Sequence, residues 1–346
     1  MSRLYIMDVS AVVNTGVYSP RYAKLSSFGY PTAGINFFMQ QLLVALYEMG
    51  DVVLCFDSPN FRRSLNPDYK SGRNHSAAAV SNIEVLYDYL SRCGFCCYKE
   101  DGYEADDIID WIVNRTADKY SQIIIIGNDK DLAHSLQPNV MFRSCRSDMN
   151  LIRKSSFPNA VFKDVYLPYN MTSVYKCLCG CHSDSVPVFR TEDGRSGAEL
   201  YRSAVSFYES NDLTNDYFKS TNSQVLKVWA EVAGFTETDM ANLDTRIKLI
   251  FPAEIPETFD TMIRTANLYT IDCDKMSRIL TMFNVAEAFK CRDFFRVQLT
   301  EEEKREMYKL ADSFKTGSFN ADKNLPINSN RISAEPLTID LFEKDF

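Results

Sequence analysis

No apolar run in this chain approaches the roughly 18 residues a membrane span needs, so no transmembrane segment is expected. Nothing at the N-terminus reads as a signal peptide, because Met1 to Met7 meets Asp8 at once. The ten cysteines follow no framework spacing. That argues against a disulfide scaffold and for reduced thiols in a reducing cytoplasm. Basic residues are not in excess: 38 Lys and Arg stand against 46 Asp and Glu, a formal charge of −8. By sign alone nucleic acid would be a surprising partner. No internal repeat is found. The remaining composition, 45% hydrophobic and 13% aromatic in 346 residues, is that of a globular protein with one large domain or two smaller ones.

What the chain does have is clustered acid. Tyr103-Glu104-Ala105-Asp106-Asp107 and Gly127-Asn128-Asp129-Lys130-Asp131 place five carboxylates in a short span. The run Gln122 to Ile126 before the second group reads as a buried strand, so Asp129 and Asp131 fall past its carboxyl end. Leu4 to Met7 reads as a first strand ending at Asp8, and Asp51 to Phe56 as a second ending at Asp57. A single aspartate after a strand serves equally well as a turn or helix cap. Between these strands a loop follows Asp8, and Ile35 to Met49 has helical apolar spacing closed by Gly50. Strand, helix, strand implies a right-handed βαβ unit and a parallel sheet. Ligands of such sheets bind outside the carboxyl ends of the strands. Many like charges gathered there call for cations, and divalent metal is the first expectation.

The segment Ser58 to Arg73 is polar and interleaves Arg62, Arg63, Lys70 and Arg73 with Phe61 and Tyr69. It suits phosphate contact and base stacking, or else an ordinary solvated loop. Ala77 to Cys93 and the stretch from Glu104 to about Tyr120 are amphipathic helices; Phe95 to Tyr98 and Val140 to Phe142 are strand candidates. Acids in the Glu104 helix's first turn suit its dipole. Residues 158–176 read as partly helical. Lys176-Cys177-Leu178-Cys179-Gly180-Cys181-His182 suggests zinc, but the second distant Cys pair of a structural site is missing. Val205 to Phe295 is helical in pattern. Ser313 to Pro336 reads as a flexible linker before the apolar end 337–346.

Together these motifs resemble the 5′-nuclease family: the 5′-nuclease domain of bacterial DNA polymerase I, phage 5′-exonucleases and flap endonucleases. The resemblance covers about residues 3–200. Asp8 and Asp57 resemble the aspartates after the first two strands. Pro67-Asp68-Tyr69-Lys70-Ser71-Gly72-Arg73 resembles the Y-K-x-x-R segment of the arch, and Tyr103 to Ile109 the Y-E-A-D-D signature. Gly127 to Leu132 resembles G-D-K-D-L with Asn128 inserted, and Gly180 to Pro187 resembles G-D-x-S-D-N-x-P-G.

The resemblance implies a parallel-sheet α/β nuclease core of the PIN-like type over 1–180, with a helical arch at about 58–80. A helical DNA-binding region would span 181–300, with a helix–three-turn–helix at about 186–204 carrying Gly194 and Gly197. A flexible tail would run over 301–346. It implies two Mg²⁺ ions, with Mn²⁺ as substitute. Site one would be Asp8, Asp57, Glu104 and Asp106; site two would be Asp129, Asp131 and Asp184, with Asp107 near. Lys70 and Arg73 would neutralise the scissile phosphate, Tyr69 would stack on a frayed base, and Arg62 and Arg63 would guide the 5′ strand. The implied substrate is DNA with a 5′ flap, a nick or an RNA primer, cut by a monomer in replication or repair. Two departures stand out: the glycine-rich hairpin is reduced to Gly194 and Gly197, and Cys181 replaces an aspartate of site two, weakening it. They leave a rival reading, a DNA-junction binding protein with reduced or lost catalysis. A compact metal-dependent ribonuclease fits the arch-like basic segment less well. A haloacid-dehalogenase-type phosphatase lacks its second aspartate after Asp8. Thr338-Ile339-Asp340-Leu341-Phe342 resembles the Q-L-[SD]-L-F peptide of sliding-clamp partners, with Ile339, Leu341 and Phe342 as contacts.

Overall fold

The computed structural model describes residues 2–71, 76–145, 151–152, 171–213, 222–256, 263–286, 290 and 293–317, and gives no account of the side chains at 130, 131, 133, 151, 152 and 222. Strand β1 (Arg3–Asp8) is buried from Leu4 onward, as a strand covered on both faces must be. Helix α1 (Val9–Tyr18) follows at once, where the sequence reads as a loop. Asn14, Thr15 and Gly16 are poor helix formers, yet packing overrides propensity. After the small hairpin β2 (Ser26–Ser27) and β3 (Tyr30–Pro31) comes α2 (Ala33–Tyr47), crossing α1 closely. A Cβ on Gly16 would stand 2.5 Å from that of Phe37, so only glycine admits the contact.

Strand β4 (Asp51–Cys55) leads through the short α3 (Arg62–Leu65) to α4 (Ala77–Arg92) and β5 (Cys97–Tyr98). Helix α5 (Ala105–Thr116), β6 (Gln122–Gly127), β7 (Val140–Ser144) and β8 (Leu151–Ile152) complete the sheet. Its order is β5-β4-β1-β6-β7-β8, parallel except for the antiparallel β8. This is the expected α/β parallel-sheet core. Alternation along the strands divides the apolar side chains. Tyr5, Met7, Val52, Leu54, Ile124 and Ile126 face α1, α2 and α4, while Leu4, Ile6, Val53, Ile123 and Ile125 face α5.

Helices α6 (Thr172–Cys179), α7 (Gly197–Ser210), α8 (Asn222–Val232) and α9 (Glu237–Ile250) pack around a separate core with Leu178, Phe189, Leu200, Trp229 and Leu243. Beyond them the expected partition fails. Helices α10 (Cys273–Met282) and α11 (Glu301–Lys315) belong to the α/β core, not to the helical region or the tail. Met276, Ile279, Phe283, Met307 and Leu310 cover the α1–α2–α4 side of the sheet, and Ala266 pairs with Val52 through two backbone hydrogen bonds. Helix α11 hid behind its acidic start, Glu301 to Glu303. Those acids favour a helix N-terminus, where Thr300 and Glu303 form a reciprocal capping box. The proposed clamp peptide, 338–342, lies outside the described residues. Among the described residues no helix is long and apolar enough to cross a membrane.

On α11, Glu306 is 5% exposed, and neither carboxylate oxygen has a hydrogen-bond partner among the described residues. Burial, with Glu302 and Glu303 beside it and only partial relief from Arg92 and Lys309, raises its pKa from the ordinary 4.5 to about 7. Between those values the folded chain holds a proton that the unfolded chain has released, so stability falls as pH rises through that window. Glu306→Gln is expected to leave the melting temperature unchanged below pH 4.5 and to raise it above pH 7, by an amount worth roughly 1–3 kcal/mol. Thermal denaturation across that range measures it.

Candidate metal centre and its basic clasp

The sheet register gathers the acids. Asp8 pairs across with Cys55 on β4, and Met7 with Ile126 on β6, so β1, β4 and β6 end together. Asp8, Asp57 and Asp129 therefore leave the same edge of the sheet. Gly127 is pressed against Asp8, and a Cβ there would come 3.3 Å from that of Asp8. Asp8 is 8% exposed, and its Oδ1 also caps α1. Burial, then the charge of Asp57, and further those of Asp129 and Asp106, push its pKa well above the carboxylate range. Asp57 is exposed and accepts a 2.9 Å hydrogen bond from the Ala105 amide, which joins β4 to the start of α5.

The first turn of α5 carries the other acids. Glu104 and Asp107 form a capping box, each accepting the other's backbone amide. Glu104 is 7% exposed; its Oε1 accepts from Lys70 Nζ at 2.6 Å, and its Oε2 from Tyr69 Oη at 3.0 Å and Arg62 Nη1 at 3.2 Å. Burial and Asp106 still raise its pKa to about 7 against the pull of Lys70 and Arg62. Burial acts upward on Asp106 as well, but Lys70 and Arg62, with His134, hold it below its ordinary value. Lys70 takes a left-handed backbone (φ 54°), unusual for a lysine, and its amide donates to the Asp184 carbonyl at 3.3 Å.

Several expected roles change. Asp107 was expected near the second metal; its two oxygens are instead held by Arg62, Nη1 to Oδ2 and Nη2 to Oδ1, both 2.7 Å. Arg62 was expected to guide DNA, but it is 2% exposed and cannot reach a phosphate. Tyr69, expected to stack on a base, is buried with its hydroxyl on Glu104. The Glu104 and Asp107 carboxylates explain these changes, since they draw the Arg62 guanidinium and the Tyr69 hydroxyl inward. Arg63 is exposed. Arg73 and the Asp131 side chain lie outside the described residues.

Asp184, 3% exposed, sits in a short turn after α6, with Lys176 Nζ 3.6 Å from its Oδ2. Cys181 donates its thiol to the same oxygen at 2.9 Å. Burial and that bond raise the thiol's pKa despite Lys176. As a protonated donor, Cys181 orients Asp184 and supplies no anionic ligand. Gly194 and Gly197 were expected to offer open amides to phosphate. Their amides instead donate to the Thr191 and Phe189 carbonyls at 3.0 and 3.1 Å, because the hairpin closes on itself before α7. Arg246 of α9 donates to the Cys177 carbonyl in α6 and to the Pro187 carbonyl in the loop before α7.

Sequence reasoning missed the Arg62–Asp107 pair, for which the sequence carries no signal, and the work of Asn128. The inserted Asn128 bonds to Thr15 on α1 and accepts from Ser144 and Cys145 after β7, fixing the Asp129 loop. The donors gathered at the strand ends are carboxylate oxygens, and hard divalent cations such as Mg²⁺ or Mn²⁺ take such ligands. Among the described residues no three of these groups are already drawn into a closed cage.

Residues 3–162 match the family model of the 5′-3′ exonuclease N-terminal, resolvase-like domain. A 5′-3′ exonuclease of Aquifex aeolicus is 27% identical over 192 residues, covering 54% of this chain and 64% of that protein. DNA polymerase I of Treponema pallidum is 26% identical over 206 residues, covering 57% of this chain and 20% of that protein. The chain thus spans less than two thirds of either relative. A solved T5 5′-exonuclease with bound zinc aligns at TM-score 0.49 and 17% identity, covering 72% of this chain and 87% of that one. Over residues 3–162, just under half of its length, this chain is thus similar to the N-terminal, resolvase-like domain of 5′-3′ exonucleases.

Proposed function

We propose that the chain is a structure-specific 5′ nuclease, a 5′-3′ exonuclease or flap endonuclease that hydrolyses phosphodiesters with divalent metal in DNA replication or repair. The observation that carries this reading is the convergence of Asp8, Asp57, Asp106 and Asp129 at one sheet edge beneath a basic clasp. Asp8, Asp57, Glu104 and Asp106 would hold one ion; Asp129, Asp131 and Asp184 would hold a second, weaker one. Bound there, such ions supply a hydroxide at neutral pH and stabilise charge on the attacking and leaving oxygens. Lys70 bears on Glu104 at 2.6 Å, and its ammonium would neutralise the scissile phosphate. Arg73 would assist it, and Arg63 would guide the 5′ strand into the clasp. The substrate is DNA with a 5′ flap, a nick or an RNA primer, acted on by a monomer.

The thiol of Cys181 on Asp184 favours a second reading, a DNA-junction binding protein with weakened catalysis. The tail peptide 338–342 is further proposed to dock on a sliding clamp, where a short apolar peptide on a flexible tether gives a high effective concentration.

Three measurements bear on these readings. A labelled 5′-flap duplex with Mg²⁺ or Mn²⁺ is expected to be cut, and EDTA to stop the cutting. Asp57→Ala is expected to cost more than the roughly 10–100-fold of an outer-shell loss. Wild-type protein that binds the flap and leaves it uncut at high concentration favours the junction binder. Cys181→Asp crowds a second carboxylate onto buried Asp184. It should cost about 1–3 kcal/mol of stability without metal and regain it in Mn²⁺, as read from melting temperatures. A chain ending at Pro336 should be lost from immobilised clamp; equal retention rules out the tail contact.

A further inference from the structure

The Arg62 guanidinium joins three separate parts of the molecule. It lies at the start of α3 in the basic segment and is 2% exposed. It forks onto Asp107 with two 2.7 Å bonds and touches Glu104 Oε2 at 3.2 Å. From Nη2 it also donates to the Phe251 carbonyl at 3.0 Å, where the chain leaves α9. Asp107 completes the ring by accepting from the Ala253 amide at 2.8 Å and the Glu104 amide at 3.0 Å. The residues after α9 are thereby bonded to the carboxylate that fixes the backbone of Glu104, and through Arg62 to the Glu104 side chain. Phe251 itself packs in the core of the helical region with Leu243 and Ile247.

Two ordinary explanations fit poorly. A phosphate contact is closed to a side chain so buried. Stability alone is also a poor account, because a buried ion pair can often be replaced by apolar residues at no loss. What the forked, planar group does provide is fixed geometry, which a lysine cannot reproduce.

We infer that Arg62 is a positioning residue: with Asp107 it sets where Glu104 stands and ties that position to the end of α9. Movement of α6–α9 on a DNA duplex is then transmitted to the metal-facing carboxylate through this bonded link. The inference rests on the nuclease reading for its consequence in catalysis, but the link itself can be tested without turnover.

Two variants serve. Arg62→Lys keeps the charge and alters no carboxylate. The pair Arg62→Met with Asp107→Leu removes both buried charges together, so the fold survives where one unpaired charge would endanger it. For each, three quantities are read: Mn²⁺ affinity from the electron paramagnetic resonance of free Mn²⁺, hydrogen exchange at the 103–108 amides, and kcat and KM on a 5′-flap duplex. The expected result is Mn²⁺ binding weakened about 10-fold or more, and kcat lowered roughly 10–100-fold. KM for the flap should stay within about twofold, and exchange at 103–108 should quicken. Folded variants with wild-type Mn²⁺ affinity and amide exchange overturn the inference. So does a rise in KM alone, which would make Arg62 a DNA contact. If wild-type protein leaves the flap uncut, the nuclease reading falls. The inference is then decided by amide exchange alone: quickened exchange in Arg62→Lys upholds the link, and unchanged exchange removes it.

Discussion

Mutual repulsion among carboxylates at the ends of β1, β4 and β6 is the constraint that the rest of this site answers. The register leaves no alternative: three neighbouring parallel strands stop level with one another, and each hands an aspartate to the same small volume. At Asp8, burial and the neighbouring charges of Asp57, Asp129 and Asp106 push the carboxyl pKa upward. Around the Glu104 side, the chain brings its own cations. Lys70 and Arg62 fold back from the segment after β4, and Tyr69 turns its hydroxyl inward rather than its ring outward. The backbone strain at Lys70 belongs to the same response. Basic residues that look, in sequence, like a surface for DNA are partly consumed in neutralising the protein itself.

Much of this was legible in the sequence, and for physical reasons. Strands buried on both faces must be apolar throughout, so Leu4 to Met7 and Ile123 to Ile126 announce themselves, and the acids that end them follow. The spacing of Glu104 and Asp107 foreshadows a helix start. What failed was whatever depends on partners distant in sequence. Arg62 is an ordinary basic residue until Asp107 and Phe251 are placed beside it. Helix α1 is a poor helix until Gly16 meets α2. Helix α11 is an acidic stretch until its Met307 and Leu310 find the sheet's helical cover. Gly194 and Gly197 promised free amides only while the Thr191 and Phe189 carbonyls went unconsidered.

The helical region and the α/β core have separate apolar interiors, but they are not independent near the site. Asp184 comes from the turn after α6, and its carbonyl receives the Lys70 amide. Tyr69 packs with Cys181 and Val186 of the turn after α6 and with Leu249 of α9, two segments beyond the sheet. The clasp over the acids is therefore built half from the core and half from the helical region, with Cys181 serving as both apolar filler and thiol donor.

The return of α10 and α11 to the sheet has a consequence for synthesis. Ser27 bonds to the Met282 carbonyl across 255 residues, and Asn36 to that of Phe283 across 247. A ribosome delivers the strands and acid cluster first, and the helices that roof one side of the sheet last. Until then Tyr30, Phe38 and Tyr89 lack apolar neighbours that they bury against in the finished molecule. Such delayed, long-range closure slows folding and leaves a nascent chain open to aggregation. One side of the sheet is therefore covered only when nearly all of the described chain has been made.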